Sequence, residues 1–235
     1  MLKSLQAGRA LAALAVAAFH LSIMMGEPRY GGIPAYQPLT RLGYMGVDFF
    51  FVLSGFIILF AHWRDIGRPQ AAADYAWRRF ARLFPVYWVY TGVFAMLLLL
   101  GAGTQATLPE APLDWLTSLT LVRFSDTSPP LRVAWTLFHE LAFYATFGLI
   151  VLHRGLGIAA FALWCAATVL LFHYPWETAS TPLNVYTAAV NLYFLFGMGA
   201  FLLYRTRGSG LPECLGGLAA FAVAVAAWQV HHVLA

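Results

Sequence analysis

Long apolar runs alternate along this chain with short polar connectors rich in Gly and Pro. A bilayer core about 30 Å thick needs roughly 20 apolar residues in a helix. By that measure the pattern predicts spans at about 9–25, 44–62, 84–102, 134–152, 156–173, 188–204 and 215–233. The connectors "GEPRYGGIPAYQP", "HYPWETASTP" and "RTRGSGLPE" carry the residues that end helices and turn the chain. One segment, "WLTSLTLVR" at 115–123, is apolar but only about half long enough to cross. No internal repeat or low-complexity tract is visible. The expected fold is all-α: a polytopic transmembrane helix bundle of about seven spans with one short interfacial or re-entrant helix, residues 1–235 forming a single domain.

Composition agrees. The 235 residues are 61% hydrophobic and 10% charged, with a mean hydropathy of +0.71. Soluble domains carry about a quarter charged residues, so a soluble globular class is excluded. The net charge of +4 implies no nucleic-acid partner, because surplus Arg and Lys in a membrane protein marks cytoplasmic loops. Cys165 and Cys214 have neither metal-ligand nor disulfide-framework spacing. With a cytoplasmic N-terminus and 115–123 not crossing, ten cations lie inside: Lys3, Arg9, Arg64, Arg68, Arg78, Arg79, Arg82, Arg154, Arg205 and Arg207. Four lie outside: Arg29, Arg41, Arg123 and Arg132. Letting 115–123 cross gives nine against five, a weaker bias. The N-terminal run also resembles a signal peptide, with "AVA" at 15–17 as a cleavage site. It continues to Met25, however, which favours an uncleaved first span.

Ionisable residues inside spans are expensive and mark function by default. Here they are His20, Asp48, His139 and Glu140, with Arg9 at a span edge. The topology predicts that His20, Asp48 and Glu140 sit at one depth, about 6–9 Å below the outer surface. Arg9 and His20 are eleven residues apart, so they share a helix face about 16 Å apart along the axis. His139 points about 100° away from Glu140 and is expected to support the site from outside it. Each has a structural alternative: Arg9 as a snorkelling anchor, His20 as a satisfied buried histidine, Asp48 as a helix-start acceptor. A basic cluster, Arg78, Arg79 and Arg82, leads into the third span; it suits either phosphate binding or lipid headgroups.

These features resemble the membrane acyltransferase-3 family of acyl-CoA-dependent multi-pass acyltransferases. Arg9 and His20 fit its Arg/Lys-x10-His signature. "GYMGVDFFFVLSGFII" (43–58) is similar to its second-helix motif, and "WRRFARLFPVYW" (77–88) to its Arg-rich motif. "AWTLFHELAFY" (134–144) resembles its Trp-Ser/Thr-Leu-x-x-Glu segment, and "NLYFLFGMGAFLLY" (191–204) a later helix. The resemblance covers about residues 5–204. It implies transfer of an acyl group, commonly acetyl, from cytoplasmic acyl-CoA to a hydroxyl of a glycan or related acceptor, in a bacterial inner membrane, with no metal. It marks His20 as essential with Arg9 as its partner, and ties Arg78, Arg79 and Arg82 to donor use.

Chemistry supplies roles for these residues. His20 is suited to act as general base on the acceptor hydroxyl, or as a transient acyl carrier. Asp48 or Glu140 would orient its other nitrogen. Arg9, Arg78, Arg79 and Arg82 would hold donor phosphates. Ser54 reads as small-residue helix packing rather than a nucleophile. The family has about ten helices against about seven here, so a shortened, split or truncated form is expected. The main rival is a proton-coupled transporter, which would also need intramembrane His, Asp and Glu. An inactive family member is the other.

Overall fold

The computed structural model describes residues 3–33, 36–101, 107–173 and 182–207. Every regular element among them is helical. Helix α1 (Lys3–Met25) is rich in Ala and Leu, the strongest helix formers. A short α2 (Gln37–Thr40) and a 3₁₀ turn lead into α3 (Met45–His62). Then follow α4 (Ala72–Leu99), α5 (Pro112–Thr120), α6 (Trp135–Leu152), α7 (Arg154–Leu170), α8 (Pro182–Thr187) and α9 (Leu192–Arg207).

Among the described residues four helical stretches are long and apolar enough to cross a membrane: Leu5–Met25, Gln37–Asp65, Pro69–Leu99 and Arg132–Leu152. Arg154–Leu170 is apolar but shorter. The expected sixth run corresponds to α9, whose 16 residues pack along α3. The expected run 215–233 lies outside the described residues.

One boundary differs substantially from expectation. The third run was read from about 84, but α4 begins at Ala72 and continues through Pro85. Its buried positions Tyr75, Leu83, Tyr87 and Thr91 keep helical spacing across the basic segment. The arginines therefore ride on the helix itself: Arg82 stands ten residues past Ala72, about 15 Å up its axis.

Contacts fix the directions. Gly46 of α3 lies against Ala12 and Val16 of α1, Gly43 of the preceding 3₁₀ turn against Ala15 and Phe19, and Phe49 reaches back to Gly8. Rising numbers on one helix meet falling numbers on the other, so the two are antiparallel. Between α3 and α9 the order rises together, Phe51 on Phe194, Phe56 on Phe201 and Trp63 beneath Arg205, so they are parallel. Helices α3 and α6 are also parallel, with Phe51 near Trp135 and His62 near Phe147. Helices α4 and α7 each run antiparallel to α6: Tyr75 packs on Phe147, and Gly157 on Ile150. So α1, α4 and α7 run one way and α3, α6 and α9 the other.

Helix α5 reverses nothing. Its nine residues dock sideways on α4, where the Tyr87 hydroxyl donates to the Ser118 carbonyl and Trp88 Nε1 donates to the Leu119 carbonyl at 2.9 Å. The core is aromatic: Phe51, Phe143, Phe147 and Phe194 are at most 4% exposed, and Phe143 stacks on Phe194 at 4.2 Å.

Candidate functional site

Three helices and the basic end of α4 close on one cavity of about 250 Å³, mostly apolar in its walls but with a cluster of charged and hydroxyl groups. Arg9 of α1, Ser54 of α3, Arg79 and Arg82 of α4, and Thr136, Glu140 and Tyr144 of α6 line it, with Phe50, Phe51 and Ile57 among its apolar walls. Three guanidiniums and one carboxylate line it, formally +3 against −1, and none of the three arginines forms an ion pair with Glu140.

Each group has a reason to be there. Glu140 stands five residues into α6, and its Oε1 accepts from the Ser54 hydroxyl at 3.4 Å and from the Tyr144 hydroxyl one turn along its own helix. Tyr144 is itself fixed, because the Tyr75 hydroxyl donates to its carbonyl at 2.9 Å. The Arg79 guanidinium lies over the Tyr144 ring, 5.7 Å from its centroid. Arg79 Nε is buried and has no hydrogen-bond partner. A buried N–H without an acceptor is costly.

The structure groups the expected residues differently from the predicted shared depth. Arg9, Arg79, Arg82 and Glu140 come together. Arg78 does not: it pairs with Asp74 at 2.8 Å on the exposed face of α4. Arg79 and Arg82, three residues apart, reach the cavity instead of the i,i+4 pair Arg78 and Arg82. Asp48 is partly buried but outside the cavity wall. His20 is exposed, edge-on to Phe19, and its Nδ1 donates to the Val16 carbonyl at 2.8 Å. Neither Asp48 nor Glu140 orients it in this structure. The cause is register. The contacts of Gly43 and Gly46 set α1 about level with the first half of α3, so Arg9, not His20, meets the height of Glu140. His20 stands about 16 Å further along α1.

His139 faces away from the cavity, as its spacing from Glu140 requires. It is 2% exposed, packs edge-on against Phe51 and Trp135, and its Nδ1 donates to Asn191 Oδ1 at 2.9 Å. Asn191 in turn donates to the carbonyls of Val185 and Tyr186. On the same side, beside His139, Arg123 is held over the Phe138 ring and donates to the Thr127 carbonyl at 2.6 Å. Burial lowers its pKa from the usual guanidinium range.

Sequence reasoning passed over three cavity residues. Tyr144 had a readable signal, one turn from Glu140 on the same helix face. Ser54 was read as packing, yet its neighbour Gly55 does the packing. Thr136 is the threonine of the "AWTLFHELAFY" segment, at its Ser/Thr position.

Part of the motif set, Arg9, Arg79, Arg82 and Glu140, thus comes together, while His20, Asp48 and Arg78 stay apart from it. The profile of the family described as "Acyltransferase domain" matches residues 2–234. The chain belongs to the acyltransferase-3 family. Among curated relatives of this acyltransferase-3 chain is the "Exopolysaccharide production protein ExoZ" of Rhizobium meliloti (strain 1021). It is 33% identical over 202 residues, covering 77% of this chain and 60% of the relative. "Acyltransferase MdmB" of Streptomyces mycarofaciens is 29% identical over 205 residues, covering 80% of this chain and 49% of that protein. The chain thus matches between about half and three fifths of each relative's length. No solved structure matches the chain.

Proposed function

We propose that this acyltransferase-3 chain is a multi-pass O-acyltransferase that moves an acyl group, acetyl in the simplest case, from acyl-CoA to a hydroxyl of a glycan or related acceptor. The observation that carries the proposal is the cavity that Arg9, Arg79 and Arg82 line together with Glu140. Its volume is below the range of complete small-molecule sites. It suits the diphosphate of the donor rather than the whole nucleotide. Guanidiniums take phosphate oxygens in bidentate fashion, and the orphaned Arg79 Nε offers one donor already in place.

His20 is the proposed general base. A carbonyl oxygen can only accept, so the bond to Val16 places a proton on Nδ1 and leaves the Nε2 lone pair basic. In the proposed step Nε2 takes the acceptor's hydroxyl proton while the acceptor oxygen bonds to the thioester carbonyl carbon. The C–S bond breaks, and the thiolate leaving group recovers the proton from the imidazolium. The backbone carbonyl of Val16 takes over the orienting part expected of Asp48 or Glu140. Glu140, held by the Ser54 and Tyr144 hydroxyls, serves instead to offset part of the positive charge of the cavity. The separation of His20 from the arginines suits a donor whose thioester hangs on a long flexible arm. We further propose seven spans with the N-terminus in the cytoplasm. That orientation puts the charged ends of α4, α7 and α9 inside, in line with the positive-inside bias. The ExoZ relative, an exopolysaccharide production protein by name, supports a polysaccharide acceptor.

The test is mass spectrometry of surface glycans from cells carrying the gene, lacking it, or carrying His20→Ala. One added acyl mass with the wild-type gene, absent from the other two at equal membrane protein levels, is expected. Normal acylation with His20→Ala would remove the base from this mechanism.

A further inference from the structure

A second cavity, of about 380 Å³, opens at the opposite side of α3 from the arginine site. It lies at the end of the bundle where α3, α6 and α9 finish and α7 begins. Its floor is core: Leu59, Phe147 and Ile150 are 3%, 0% and 4% exposed. Met198 and Leu202 of α9 and Ile158 of α7 form its sides. One cation lines it and a second stands beside it on a wall residue. Arg154, the first residue of α7, lines it directly, with Gly67 packed on its Cβ. Arg205, in the last turn of α9, lies 4.1 Å over the ring of Trp63, another wall residue. Neither arginine has an ion pair among the described residues.

A deep apolar slot with two exposed, carboxylate-free guanidiniums, one lining it and one beside it, has the polarity of one kind of ligand. The guanidiniums call for a phosphate and the slot for a single hydrocarbon chain. Free phosphate would leave the apolar floor unfilled. A zwitterionic lipid would bring its ammonium against the guanidiniums. We propose that this cavity is a binding site for one anionic phospholipid, with an acyl chain inserted beside Met198 and the phosphodiester held between Arg154 and Arg205. The lipid would lock the end of α9 to α3 and α7. The site shares no lining residue with the arginine cavity, so it stands independently of the proposed chemistry.

The test is native mass spectrometry of the protein in nonionic detergent, titrated with phosphatidylglycerol, phosphatidylcholine or inorganic phosphate. Wild type is expected to retain one phosphatidylglycerol and neither of the others. Arg154→Ala with Arg205→Ala should weaken retention roughly ten-fold, and the matching pair of Lys substitutions should restore most of it. Met198→Trp, which fills the slot and leaves the charges, should also lose the lipid. Circular dichroism checks that each variant remains helical. Equal retention of phosphatidylglycerol by the double Ala variant, or equal retention of phosphatidylcholine by wild type, would overturn the site. So would displacement of the lipid by acyl-CoA, which would make the cavity part of the donor path.

Discussion

Ser54 and Gly55 are neighbours on α3, yet they face opposite kinds of surroundings. Gly55 lies against the main chain of α9, where a Cβ would collide with the Phe194 carbonyl, and Gly197 on α9 makes the reciprocal approach to Val52. That face is dry, small-residue packing of the kind that brings membrane helices close. Ser54, about 100° round the helix, donates to Glu140 in a cavity lined by arginines. One helix therefore serves as a rigid wall on one side and as a polar lining on the other. The close fit to α9 is what allows the other face to leave a cavity open, because α3 cannot shift to fill it.

This contrast orders the expected effects of mutation. Gly55→Ala should be the most damaging to the fold, costing on the order of 3 kcal/mol, because the contact it meets is backbone and cannot turn aside. Thermal unfolding in detergent reads it directly; a midpoint equal to wild type would break the dry half of the comparison. Glu140→Gln should leave that midpoint near wild type and lower acyl transfer roughly thirty-fold, equivalent to weakening its two hydrogen bonds to a charged group. Retained transfer would show that the carboxylate is bystander packing. Tyr144→Phe removes one hydroxyl from Glu140 but keeps the ring beneath Arg79. A fall in transfer of roughly ten-fold is expected, equivalent to one hydrogen bond to a charged group. A donor KM unchanged alongside it would separate Glu140 alignment from Arg79 support. Ser54→Ala should do least, a few-fold at most, since its bond at 3.4 Å is long. A large loss there would promote the serine to a chemical role.

The difference between the faces also explains what could be read from the chain. Hydropathy located α1, α3 and α6 well, because spanning length is written in composition. It misplaced the start of α4, because three arginines and Pro85 make 77–88 look like a connector while Tyr75, Leu83 and Tyr87 carry the helix through it. Glu140, Arg9, Arg79 and Arg82 were recognised as candidates from charge and motif alone. Arg9 is expected with Arg79 and Arg82; that Glu140 lines the same cavity, away from His20, was not legible. The shared depth of His20, Asp48 and Glu140 assumed that all spans start at one level. The actual offset of α1 is set by where Gly43 and Gly46 allow close approach, a packing register that no hydropathy profile contains. Arg78 and Arg79 could not be told apart for a similar reason: a single residue turns a helix by about 100° and moves a side chain from Asp74 to the cavity.

That last distinction gives the sharpest test of the central claim, that the arginines of one cavity hold the donor. The measurement is the affinity of purified protein for acetyl-CoA by calorimetry, in wild type and in Arg78→Ala, Arg79→Ala and Arg82→Ala. The account predicts losses of roughly ten-fold or more for Arg79→Ala and Arg82→Ala, as expected for a charge-assisted hydrogen bond removed from phosphate, with Arg78→Ala unchanged. Full affinity in Arg79→Ala, or an equal loss in Arg78→Ala, would contradict it.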